Sequence, residues 1–81
     1  MKLSPETRRA LADILKNRRT LKDLTQEILA SHSGVSVRSI QRAERDGSIS
    51  QENLGVLAST LGTTAEELLK AADAAKDSQP G

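Results

Sequence analysis

Apolar residues recur at helical spacing in five short stretches of the chain, each preceded by a residue that favours a helix start. In the first stretch Leu11, Ile14 and Leu15 follow the i, i+3, i+4 pattern of one helix face. Ser4 is a good N-cap and is followed by a proline, so we expect this helix over about 5–18. No stretch alternates apolar with polar β-branched residues. The pattern therefore predicts an all-α protein.

The other four predicted helices are short and are bounded by cap and turn signals. They run from the N-cap Thr25 to Gly34, over 36–45 with Asp46–Gly47 closing the helix, from Ser50 to Gly62, and from Thr63–Thr64 to about Lys76. Because helices of this length are not stable alone, each must bury its apolar face against the others. We expect residues 1–76 to form one compact five-helix bundle and 77–81 to be a disordered tail.

The second and third predicted helices are joined by a very short connection. Residues 33–35 are too few for two antiparallel helices, so the pair must cross steeply, as in a helix-turn-helix. Ala30 is small where the helices approach, Gly34 allows the turn, and Val35 and Ile40 are apolar on the core side. The sequence thus predicts a central helix-turn-helix.

The third helix has one arginine face and one apolar face. At 100° per residue, Arg38, Arg42 and Arg45 fall within an arc of about 60°, with Ile40 and Ala43 on the opposite side. Guanidinium groups suit both phosphate and the O6/N7 edge of guanine. The arrangement favours a helix that enters the DNA major groove, although a merely solvated charged face would show the same pattern.

Glu44 is predicted to turn partly inward, close to Ile40. A carboxylate in that position needs a partner, because its desolvation would otherwise destabilise the fold. Arg19, just beyond the first predicted helix, is the candidate. The alternative is an ordinary i, i+4 contact on the surface of the third helix.

Composition narrows the functional classes. The 81 residues include no Cys, Trp, Tyr or Phe and a single His, which excludes zinc fingers, iron–sulfur clusters and disulfide scaffolds. Without aromatic rings the chain is also no base-stacking platform. There is no long apolar run and no signal peptide, so we expect a cytoplasmic protein with no membrane segment, metal or cofactor.

The net charge of +1 hides an asymmetry along the chain. Residues 1–49 carry ten basic and six acidic side chains, whereas residues 50–81 carry two basic and five acidic ones. All of the arginines lie in the first part. This separation is typical of a domain with one face directed at an anion.

Four runs of sequence together resemble the lambda-repressor-like helix-turn-helix family, whose small members are phage repressors and xenobiotic-response-element-type regulators. They are Gln26–Ala30, Ser33–Ser36, Ile40–Glu44, and the leucine pattern from Leu54 to Gly62. The resemblance covers roughly residues 5–70 and is most specific between Thr25 and Glu44. It implies five helices, of which the third lies in the major groove.

By position, the resemblance also implies roles for individual residues. Those expected to contact bases are Ser36, Val37, Arg38 and Arg42, and those expected to contact phosphate are Gln26, Ser39, Arg45, Ser48 and Ile49. Arg19 and Glu44 match the family's structural ion pair. Val37 is apolar where a polar reader is frequent, which fits contact with a thymine methyl group.

The leading hypothesis is therefore a sequence-specific regulator of transcription that binds double-stranded DNA, with repression favoured. Family members commonly bind pseudo-palindromes as dimers, so a homodimer that forms on the operator is expected. The alternative is a protein-interaction module, such as an antitoxin that neutralises a toxin. An enzyme is not expected, because the neighbouring residues Ser31, His32 and Ser33 do not converge on one site.

Overall fold

The computed structural model describes residues 3–77, and this part of the chain contains five α-helices and no β-strand. The helices are α1 (Pro5–Leu21), α2 (Gln26–Ser33), α3 (Val37–Asp46), α4 (Gln51–Thr60) and α5 (Ala65–Asp77). The predicted all-α class and the number of helices are confirmed. Among the described residues, none of the helices combines the length and apolar character needed to cross a membrane.

Every helix begins at a hydroxyl side chain that accepts a hydrogen bond from the backbone N–H three residues later. The capping residues are Ser4, Thr25, Ser36, Ser50 and Thr64. Thr64, not Thr63, caps α5, and Thr63 instead donates its hydroxyl proton to the Glu67 carboxylate at 2.8 Å. These caps satisfy N–H groups that have no partner within the helix, so the sequence located the helix starts closely.

The helix ends differ from prediction by one to three residues. α1 continues to Leu21, past the predicted end at residue 18, because its end is fixed by a turn further along. In that turn Asp23 adopts a left-handed conformation with φ of 56°, and the Leu24 N–H donates to the Arg19 carbonyl at 3.2 Å. This is the Schellman arrangement, with Asp23 in the position that glycine usually takes.

Two smaller boundary predictions are also corrected. α3 spans Val37–Asp46 rather than 36–45, because Ser36 is its N-cap and Asp46 still belongs to its last turn. α5 reaches Asp77, so the predicted tail beginning at 77 is wrong at its first residue. Residues 78–81, the remainder of that predicted tail, lie outside the described part of the chain.

The core takes at least one large aliphatic side chain from each helix. The largest fully buried side chains are those of Leu11, Leu29, Ile40, Leu54, Leu57 and Leu68. α1 packs against both α3 and α5, α2 packs against α3 and α4, and α4 packs against α5. The apolar faces of the five helices therefore form one continuous buried cluster, and the arginine side of α3 stays at the surface.

Gly47 lets the C-terminal end of α3 lie directly on the backbone of α1. Its φ is 77°, in the left-handed region, and a Cβ atom at this position would overlap the Arg8 carbonyl and lie 2.8 Å from the Arg8 Cα. Gly34 ends α2 with a similar φ of 81°, but a Cβ there would meet nothing within 4 Å. Of these two glycines, only Gly47 combines the left-handed conformation with a close backbone approach.

We therefore expect Gly47→Ala to destabilise the protein much more than Gly34→Ala. The left-handed conformation costs alanine about 1–2 kcal/mol at either position. At Gly47 the overlap with α1 adds about 1–3 kcal/mol, as in other overpacked sites. Urea unfolding followed by circular dichroism measures both losses. Equal losses in the two variants would show that α3 and α1 do not meet as closely as described.

Candidate nucleic-acid interface

A two-pronged ion pair connects α1 to α3 beneath the arginine face. Arg19 Nε donates to Glu44 Oε2 at 2.7 Å, and Arg19 Nη2 donates to Glu44 Oε1 at 2.8 Å. The third guanidinium nitrogen, Nη1, donates to the Leu24 carbonyl at 2.8 Å. The Arg19 side chain is only 12% exposed and the Glu44 side chain only 5%. The hydrogen bonding with Glu44 is the main cause that raises the pKa of Arg19.

Gln26, the first residue of α2, joins the same network. Its side-chain amide donates to Glu44 Oε1 at 3.2 Å, so that one carboxylate accepts bonds from the end of α1 and the start of α2. No buried side-chain nitrogen or oxygen among residues 3–77 lacks a partner. The network therefore fixes the rotation of α3 about its axis, because Glu44 can reach both partners from only one side of that helix.

The outer face of α3 is consequently held toward solvent. Arg38, Gln41 and Arg42 are exposed, while Ile40 and Ala43 on the opposite side are fully buried. Within the described residues the side chains of Arg38 and Arg42 have no hydrogen-bond or ion-pair partner. Two guanidinium groups on a rigidly oriented helix are thus available to an external anion or base edge.

The third arginine of the predicted arc has an acidic neighbour. Arg45 Nη2 lies 3.7 Å from Asp46 Oδ2, with both side chains largely exposed. Asp46 Oδ1 accepts a 2.9 Å hydrogen bond from the Ser48 N–H. Hydrogen bonds from Ser48 and, more weakly, the charges of Arg45 and Arg8 lower the pKa of Asp46. Asp46 is therefore ionised at neutral pH.

One cavity opens between the outer face of α3 and the start of α4. It has a volume of about 300 Å³ and is lined by Ser39, Arg42, Ser48, Ile49, Ser50 and Asn53. The structure thus brings together four of the residues that the sequence assigned to DNA contact. Ser50 and Asn53 were not predicted to contact DNA, although the cap that joins them, a 3.1 Å bond from the Asn53 N–H to Ser50 Oγ, could be anticipated.

A second cavity lies on the other side of α3, above the ion pair. It has a volume of about 390 Å³ and is lined by Lys16, Arg19, Gln26, Gln41, Glu44 and Arg45. Sequence reasoning assigned Gln26 and Arg45 to phosphate but missed Lys16 and Gln41. Lys16 could have been anticipated, because it lies one helical turn before Arg19 and therefore on the same face of α1. The α3 face is thus flanked by a polar cavity on each side.

The remaining predicted contacts, Ser36 and Val37, lie at the N-terminal end of α3 and outside both cavities. The Ser36 hydroxyl bonds to Ser39 Oγ at 2.9 Å and accepts the Ser39 N–H at 3.1 Å. Val37 is the first residue of the helix and is half-buried. Their contact with bases stays a prediction, as do the other assigned DNA contacts.

Residues 3–77 show little that would support enzyme catalysis or metal binding. Ser33, from the Ser31–Ser33 segment, accepts the Val35 N–H at 3.1 Å and so stabilises the turn between α2 and α3. No group of three or more His, Asp or Glu side chains in the described part of the chain could hold a metal ion.

Comparison with known proteins shows a family and similarity to a solved gene regulator. A family model described as helix-turn-helix matches residues 15–68. The crystal structure of the clp gene regulator ClgR from Corynebacterium glutamicum is similar, with a TM-score of 0.79 and 29% sequence identity. The similarity covers 93% of this chain and 81% of that one. A search of curated protein sequences finds no match.

We expect Glu44→Gln to lower the free energy of unfolding by about 2–4 kcal/mol. The substitution removes the negative charge that compensates the largely buried Arg19 guanidinium. Leaving one member of a buried ion pair without its partner destabilises the folded state. Glu66→Gln is the matched control, because Glu66 pairs with Lys70 at 3.6 Å on a side chain that is 79% exposed. It should cost at most about 0.5 kcal/mol. Urea unfolding of the two variants tests this, and similar losses would contradict a supporting role for the α1–α3 pair.

Proposed function

The chain belongs to the lambda-repressor-like helix-turn-helix family, and we propose on that basis that it represses transcription by binding specific double-stranded DNA sequences. The similarity to a solved gene regulator supports the regulatory role. The observation that carries the proposal is the outer face of α3, where Arg38 and Arg42 are exposed and have no partner among the described residues.

In the proposed complex, α3 lies in the major groove and reads base edges. Arg38 and Arg42 suit guanine, since the guanidinium fork matches the O6 and N7 acceptors with two parallel donors. Ser36 and Val37 contact bases at the N-terminal end of the same helix. The Glu44 network supports this role because it removes the freedom of α3 to rotate, and a preorganised reader loses less entropy on binding.

Phosphate groups on the two sides of the groove are proposed to approach the two cavities that flank α3. On one side Ser39, Ser48 and Ile49 offer hydroxyl and backbone N–H donors, with Ser50 beside them. On the other side Gln26 and Arg45 provide side-chain donors. Such contacts fix the register of the protein on the duplex without carrying sequence information.

We expect Arg42→Ala to weaken binding to a preferred duplex by about 10- to 100-fold and to relax the sequence preference at one base pair. The loss corresponds to one bidentate guanine contact. The preferred duplex is first selected from random DNA, and affinity is then measured by fluorescence anisotropy from 50 to 200 mM salt. Affinity of the unmutated protein should fall steeply with salt as counterions are released.

Lys70→Ala is the matched control, because it removes one positive charge from an exposed position on α5. It should leave both affinity and sequence preference almost unchanged. Equal loss of affinity for all sequences in Arg42→Ala would argue against base reading by α3. A flat salt response would argue against DNA binding by this face, and a stoichiometric protein partner without DNA affinity would favour the interaction-module alternative.

We further propose that two copies of the chain bind one operator. The selected sequences should then contain an inverted repeat with half-site centres about 34 Å apart, which is one helical turn of DNA. Titration of labelled duplex should saturate at two protein chains per site. Selection of a single, non-repeated half-site with one chain bound would contradict the dimer while leaving DNA binding intact.

A further inference from the structure

Asp46 is an acid at the C-terminal end of the helix that the proposed function directs at DNA. It is the last residue of α3, between Arg45 and the turn that leads to α4. Its side chain is 49% exposed, so burial in the core does not account for its presence.

The Asp46 carboxylate is bound by two donor groups that a DNA phosphate would also need. Oδ1 accepts the Ser48 N–H at 2.9 Å, and Oδ2 lies 3.7 Å from Arg45 Nη2. Ser48 and Arg45 are two of the residues assigned above to phosphate contact. A carboxylate and a phosphate both offer anionic oxygen acceptors, so the two groups compete for the same donors.

The turn that presents the Ser48 N–H is fixed by packing, whereas the Asp46 side chain is held only by its contacts with Ser48 and Arg45. Gly47 is buried, and its Cα lies against the Arg8 backbone, so that the adjacent Ser48 N–H cannot retreat from its position. The Asp46 side chain reaches solvent and can rotate outward. An approaching phosphate would therefore displace Asp46 and leave the turn in place.

We propose that Asp46 is an internal competitor for the DNA backbone, occupying a phosphate position in the free protein and lowering the affinity for every duplex that reaches this turn. The inference rests on the proposed function, since the competition requires DNA at this face. Because phosphates are common to all sequences, the effect applies to selected and unselected duplexes alike. Asp46 thus tunes affinity without reading sequence.

The test is Asp46→Asn, which removes the charge and keeps a side-chain oxygen that can accept the Ser48 N–H. Affinity is measured by anisotropy for the selected duplex and for a scrambled duplex of equal length and composition. Glu66→Gln is the matched control, because it changes the net charge equally on α5. Thermal unfolding checks that the variant is folded, and Asp46→Ser, which also offers an oxygen at this turn, provides a second variant.

We expect Asp46→Asn to bind both duplexes about three- to tenfold more tightly, by a similar factor for each. Release of Arg45 to one more phosphate should also steepen the slope of log affinity against log salt by about 0.9. Arg45→Ala should cost more affinity in the Asp46→Asn background than in the unmutated protein, because Asp46 no longer occupies that guanidinium.

The contrary outcomes separate the two proposals. If the unmutated protein binds DNA but Asp46→Asn and Asp46→Ser bind no more tightly than Glu66→Gln, only the competitor role is overturned. A gain confined to the selected duplex would also overturn it, because phosphate competition is independent of sequence. If neither the unmutated protein nor Asp46→Asn binds any duplex at 50 mM salt, the proposed function fails and this inference fails with it.

Discussion

The rest of the structure depends on the guanidinium of Arg19. Its nitrogens bind the Glu44 carboxylate on α3 and the Leu24 carbonyl in the turn before α2, at 2.7–2.8 Å. A single side chain at the end of α1 therefore positions both helices of the helix-turn-helix. Lysine could not replace it, because an ammonium group has no planar fork with which to hold a carboxylate and a carbonyl in fixed directions.

The C-terminal end of α3 is also fixed by backbone contact. At Gly47 the chain passes so close to the α1 backbone that no side chain fits, and the turn that follows presents the Ser48 N–H. The C-terminal half of α3 is thus held both by the hydrogen bonds between Glu44 and Arg19 and by backbone packing against Arg8. Further toward the N-terminus its apolar side contributes Ile40 and Ala43 to the core.

Much of this arrangement could be predicted from local sequence. Serine and threonine caps, the leucine spacing and Gly34 located five helices within one to three residues, because these signals act over a single turn of chain. The end of α1 was missed because it depends on Asp23 taking a left-handed conformation, which residues other than glycine adopt only occasionally. Arg19 was chosen as the partner of Glu44 from its place just beyond the first predicted helix, and the family resemblance, confirmed by the comparisons, supported that choice.

The candidate site was less predictable, because it depends on which residues distant in sequence come together. Lys16 and Asn53 line the cavities beside α3 only because α1 and α4 flank that helix. The local pairing of Asp46 with Ser48 was also missed, since Asp46 was interpreted only as part of a helix-closing turn. Charge counting cannot distinguish an acid that is merely solvated from one that holds donors in the site.

The absence of side-chain partners for Arg38, Gln41 and Arg42 within residues 3–77 has an evolutionary consequence. Substitutions at these three positions remove no side-chain interaction on which folding relies, whereas substitutions at Ile40 or Ala43 disturb the core and substitutions at Glu44 break the ion pair with Arg19. Under the proposed function, α3 could therefore change the DNA sequence it binds through substitutions that are neutral for folding, while its inward half stays under constraint. In α3, therefore, the residues proposed to select the DNA sequence and the residues that stabilise the fold lie on different sides of the same ten-residue helix.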